Sequence, residues 1–138
     1  MNLATLRVSG TDLAIEAVCK LLQLSIDQEW KKGDPKRREG FFLSSGLNAT
    51  IVDAKNPGEM LVAIREFVAK CKAQNVVFSG SDLSAELAIG VTVGDTEQFV
   101  ACVDFSTHDL LSLGALGLEL SVAAYPTSDE ANESDQNA

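Results

Sequence analysis

Few residues in this chain could make or break bonds. The single histidine, His108, precedes Asp109 in "FSTHDLL". A His beside a carboxylate can form half of a general acid–base pair. The same place, at the start of an expected helix, equally suits a first-turn surface residue with no chemical role. No second His or Cys lies at metal-ligand spacing, so no metal site is expected. The cysteines, Cys19, Cys71 and Cys102, are far apart, odd in number and form no CxxC pair. That pattern points to free thiols in a reducing compartment. "GVTVGD" alternates like a strand and its turn, not like a phosphate loop, and no Gly-x-Ser-x-Gly elbow occurs. No catalytic residue or cofactor is assigned, and the chain is expected not to be an enzyme. A reaction centred on Asp109 and His108, or on scattered carboxylates, is the weakest of three readings.

The other chemically distinctive stretch is "EWKKGDPKRREGFF". Formal net charge is -9, from 20 carboxylates and 11 bases, yet five bases fall between Lys31 and Arg38. Trp30 is the only Trp. It is expected to lay its indole over the core edge, with the ring nitrogen bonded to backbone. Gly33, Asp34 and Pro35 form a turn and exclude regular structure from Trp30 to Arg38. These four residues are assigned structural roles. Lys32, Lys36, Arg37 and Arg38 are the candidate partner-binding residues, since Arg and Trp dominate interface energies. A solvated connector, or a loop paired with the acidic body, are the alternatives. Outside Lys31–Glu39 the remainder carries -12. That field disfavours nucleic acid and suits a basic protein partner, although solubility alone would explain it as well.

These residues must be held by a fold. With 138 residues and 46% hydrophobic composition, one domain over 1–126 is expected. "LATLRVSG" alternates like a half-buried strand. In the helix that follows, Leu13, Ala17, Leu21 and Leu24 share one face with Ala14, Val18 and Leu22 beside them, and Thr11 or Asp12 caps it. "GFFLSS" is read as a second strand. The clearest helix follows Asn56 as cap and Pro57 at its first position, with Met60, Ile64, Phe67 and Cys71 in one stripe. "AELAIGVTV" and "FVACVDF" read as an antiparallel hairpin turning at Gly94-Asp95. A short helix capped by Ser106 or Thr107 and a last strand, "LELSVAAY", close the domain. Residues 127–138 have no large apolar residue and are expected to be a disordered acidic tail. The order predicts an α+β fold, an antiparallel or mixed sheet with helices on one face and a ferredoxin-like arrangement as one topology. No leader or membrane-spanning run is read, so a cytoplasmic location without membrane association is expected.

Several motifs together resemble the bacterial family known as domain of unknown function 4279. They are "ATLRVSG" with Asp12-Leu13, the Leu21-Leu22 pair, Trp30 with "KKGDP", "GFFLSS", and the closing "HDLLSLGALGLELSVAAY". The likeness spans roughly residues 3 to 126. The chain departs from the pattern at Ile15, Gln23 and Ile26, where such sequences often carry Pro or Gly-Leu-x-Pro, and Phe42 stands for a usual Trp. The resemblance implies the fold but no catalytic residues. By analogy with small acidic domains encoded beside secreted toxins, it implies an immunity protein that occludes a basic toxin domain. A small-molecule-binding or sensory domain, with a pocket between sheet and helices, is the alternative.

Overall fold

Strand β1 (Asn2–Gly10) is the middle strand of the sheet, and its alternation buries Ala4, Leu6 and Val8 fully on one face. In the computed structural model, which describes the backbone of residues 1–137 and the side chains of 1–133, β1 pairs antiparallel on both sides. On one side is β3 (Ser45–Asp53), which sets Leu47 opposite Val8 and Ala49 opposite Leu6. On the other is β4 (Leu83–Val93), which sets Ala85, Leu87 and Ile89 opposite Val8, Leu6 and Ala4. Cross-strand pairs of this kind make one continuous apolar face. The buried stripes of α1 (Asp12–Leu22), α2 (Pro57–Ala73) and α3 (Thr107–Leu116) complete the core against it.

The five-stranded sheet is mixed, in the order β2-β3-β1-β4-β5. The pairs among β2, β3, β1 and β4 are all antiparallel, with α1 and α2 as crossovers. This is the split βαβ arrangement of ferredoxin-like folds. A further unit, α3 and β5 (Leu118–Pro126), adds a parallel edge strand to β4.

The caps are legible locally. Thr11 accepts from Ala14 N, Asn56 from Glu59 N, and Ser106 from Asp109 N. The stripe Met60, Ile64, Phe67 and Cys71 is buried. Four expectations are corrected. First, α1 buries Ile15, Val18 and Leu22 and leaves Leu13, Ala17 and Leu21 exposed. Both sets fit a 3.6-residue period. The choice is made where the chain enters the helix, with Thr11 N bonded to Asp82 O, and Gln23 in the left-handed region ends the helix before Leu24.

Second, the strand read at "GFFLSS" begins at Ser45, and an unforeseen strand β2 (Ile26–Trp30) pairs with it. Asp27 fixes the bulge of β2 by accepting from Thr50 N and Thr50 Oγ1, each at 2.6 Å. Third, the expected hairpin is absent: residues 98–105 form no strand, and β4 pairs with β5 instead. Ala101, Val103 and Phe105 still pack against the core. Alternation reports an extended chain with one face in, and says nothing of which strand supplies the hydrogen bonds. Fourth, the boundary at residue 126 is no structural break. Thr127 N donates to Val93 O, and helix α4 (Asp129–Asn137) stands where disorder was expected. Asp129 accepts backbone N–H groups from Thr96, Glu97 and Gln98, and buried Asn132 donates to Gln98. Such a tail is held by polar contacts, which the scarcity of apolar residues could not reveal. The expectation for Ala138 lies outside the described residues.

Candidate functional site

The basic stretch connects β2 to β3 and is held at its base by an aromatic pair. Trp30 is the last residue of β2, and its indole stacks on Phe42 with centroids 4.8 Å apart and planes inclined by 19°. Its Nε1 donates to Ser44 O at 3.1 Å. The ring lies flat against Gly46, where a Cβ would come 2.3 Å from Trp30 Cζ2. Close approach of ring to backbone therefore requires Gly at this position.

Above this base the loop is a small hairpin of its own, so regular pairing does enter the stretch from Trp30 to Arg38. Gly33 N donates to Phe42 O at 2.8 Å and Phe42 N to Asp34 O at 2.9 Å. Pro35 bridges Phe41, and Lys36 N donates to Gly40 O at 2.9 Å. The Asp34 carboxylate accepts from Lys31 N at 2.8 Å while Asp34 N donates to Lys31 O at 3.0 Å, a reciprocal pair that closes the turn. Lys32 N donates to Ser45 Oγ at 3.0 Å. Gly33 and Gly40, at φ 90° and 82°, adopt the left-handed backbone that these turns need.

The cations at the tip divide. Lys31 pairs with Asp12 at 3.7 Å, with both side chains largely exposed. Lys36 lies 5.6 Å from the Phe42 ring centroid, within cation–π range. Among the described residues, Lys32, Lys36, Arg37 and Arg38 make no ion pair, and all four are exposed. Phe41 and Leu43 flank Phe42 on the opposite side of the chain and are 66% and 88% exposed. Both fall in the run expected to be the second strand. The missed signal is the alternation itself: Phe42 turns in toward Trp30, so its neighbours turn out. A rigid, cationic loop with two projecting apolar side chains can dock on a surface that offers carboxylates and an apolar recess.

His108 and Asp109 are adjacent but do not cooperate. His108 is exposed, with no hydrogen bond to Asp109. Asp109 is only 9% exposed and is fully engaged. Its carboxylate accepts from Arg65 Nε at 3.0 Å, Arg65 Nη2 at 2.9 Å and Ser106 N at 2.9 Å. The Arg65 guanidinium, and after it the Ser106 N–H, hold this carboxyl far below the usual carboxylate range. It is an anchor between α2 and α3, not a proton carrier near neutrality. Cys71 is buried, which pushes its thiol up to about 11. Burial, and after it the charge of Glu29, also raises half-buried Cys19, while Cys102 is exposed. Burial thus keeps Cys19 and Cys71 in the less nucleophilic thiol form. Among the described residues no group of three or more His, Cys, Asp or Glu side chains could hold a metal ion, and no helix is long and apolar enough to cross a membrane. Comparison with family models, curated proteins and solved structures finds no match for the chain.

Proposed function

We propose that this chain is a non-enzymatic protein-binding domain of the domain-of-unknown-function-4279 type, docking through the β2–β3 loop. One observation carries the reading: Lys32, Lys36, Arg37 and Arg38, exposed and without an ion pair among the described residues, stand with exposed Phe41 and Leu43 on a loop braced by the Trp30–Phe42 stack. A merely solvated connector has no need of that bracing. Loss of mobility on binding is a large part of what association costs, and a pre-ordered loop reduces it. The cations would speed encounter with an acidic surface, and the apolar pair would supply the desolvated contact. The narrower form is an immunity protein that occludes a basic toxin domain, with the acidic body facing the toxin and the loop reaching a carboxylate patch at its edge. Net charge -9 supports that form.

The test is capture of the partner with the full chain, followed by titration of that purified partner with a variant carrying Lys36→Ser, Arg37→Ser and Arg38→Ser. The variant should fold like the parent, bind at least tenfold more weakly, and show a shallower salt dependence. Unchanged affinity and salt slope would remove the loop from the interface. The alternative reading, a small-molecule-binding domain, rests on a separate observation, the cleft between α2 and α3.

A further inference from the structure

Two rungs join α2 to α3 on their outer side. One is the Arg65–Asp109 pair, which is internally neutral. The other is Lys72 Nζ, which donates to Ser112 Oγ at 2.8 Å. Arg65 and Lys72 are seven residues apart on α2, two turns or about 10.5 Å along one face. Between the rungs lies a cleft of about 380 Å³ lined by Ile64, Val68, Ala69 and Leu113, with His108 and Ser106 at one end. That volume is at the small end of the ~300–1,000 Å³ typical of small-molecule sites. An apolar floor with a few convergent polar groups is the usual composition of such sites.

The second rung, on exposed Lys72, carries a net charge. Lys72 carries a full charge, yet its partner is a neutral hydroxyl, and it makes no ion pair among the described residues. Ser112 is buried, accepts the ammonium, and has no acceptor for its own proton among the described residues. Buried polar hydrogens normally find acceptors. Two donors, one of them charged, thus converge at one end of an apolar cleft. An anion satisfies both donors as water does and also matches the charge, and charge-assisted bonds of this kind are the strong ones. Arg65 adds no free charge because Asp109 neutralises it, so the cleft matches a monoanion.

We propose that the α2–α3 cleft binds a small organic monoanion, a carboxylate with a short apolar body. Its head accepts from Lys72 and Ser112, and its chain lies over Ala69 and Leu113. This site is independent of the β2–β3 loop and goes beyond the protein-binding reading.

The experiment titrates the full chain with butanoate, hexanoate and inorganic phosphate at constant ionic strength, following backbone amide resonances. Saturable shifts are expected at Ala69, Lys72, Ser112 and Leu113 with the two carboxylates. Hexanoate should bind roughly fifteenfold more tightly than butanoate, since each of its two extra methylenes, if buried, is worth about fourfold. Lys72→Met keeps the apolar stem and removes the ammonium; it should weaken hexanoate at least tenfold, and Ser112→Ala should weaken it less. Lys55→Met, on a lysine that does not line the cleft, and the loop triple variant should both bind like the parent. Absence of saturable shifts at the cleft, equal response to phosphate, or full retention of binding by Lys72→Met would each overturn the proposal. The melting curve of Lys72→Met guards against simple unfolding, and Ser112→Ala gives a second route to the same answer.

Discussion

Replacing Asp109 with Asn tests the account of how α3 is fixed to α2. The substitution keeps the shape and removes the charge. Asp109 accepts three hydrogen bonds while only 9% exposed, from Arg65 Nε, Arg65 Nη2 and Ser106 N. A hydrogen bond to a charged buried group contributes about 1.5–3 kcal/mol. The Arg65 side chain is half exposed, however, and water solvates it once the pair is broken. Its share is therefore discounted to the ~0–1 kcal/mol of surface pairs. Asn offers Ser106 N a neutral acceptor in place of a charged one, and that weakening of the capping box adds about 1–1.5 kcal/mol. The total is about 2 kcal/mol, or a melting temperature lower by about 6 °C in a domain of this size. The gap must also depend on pH with a definite sign. Because the folded carboxyl titrates far below its unfolded value of about 3.9, its contribution is complete above that value. It is lost as pH falls toward the folded value, by up to about 1.4 kcal/mol per unit. Urea midpoints of parent and Asp109→Asn at pH 7 and at successively lower pH check both parts. A gap under about 0.3 kcal/mol at pH 7, or one of constant size down to pH 3, would refute the reasoning.

Three further outcomes are expected. Gly46→Ala should destabilise by about 1–3 kcal/mol, because the new Cβ would lie 2.3 Å from Trp30 Cζ2 and 2.6 Å from Val8 O, and the latter is backbone that cannot step aside. Denaturant midpoint and Trp fluorescence report it together, and an unchanged emission spectrum would contradict the packing. Ile64→Ala, at a site 2% exposed in the α2 stripe, should cost about 2–5 kcal/mol by chemical denaturation. Asp129→Asn should speed amide exchange at Thr96, Glu97 and Gln98 and expose the tail to proteolysis, since those three N–H groups converge on its carboxylate. Exchange rates equal to the parent's would show that α4 is held some other way.

Much of this fold is written in short-range signals. Caps at Thr11, Asn56 and Ser106 and the stripe of α2 are set by residues within a turn of one another, and each is where local chemistry places it. Trp30 is similar: a lone indole before a Gly-Asp-Pro turn needs an apolar neighbour and an acceptor, and Phe42 and Ser44 O supply them. Non-local choices were not legible. Leu13, Ala17 and Leu21 obey the helical period as well as Ile15, Val18 and Leu22 do; the first set is exposed because the sheet lies on the other side. The segment around Val103 has the alternation of a strand, yet β5 holds the place beside β4, since two extended chains competed for one edge. Arg65 and Asp109 are 44 residues apart, and Lys72 and Ser112 are 40 apart. No pattern within a single element announces either contact. They exist because packing α3 against α2 brings four side chains into two rungs. Periodicity sets which residues share a face, and only the packed chain decides what that face meets.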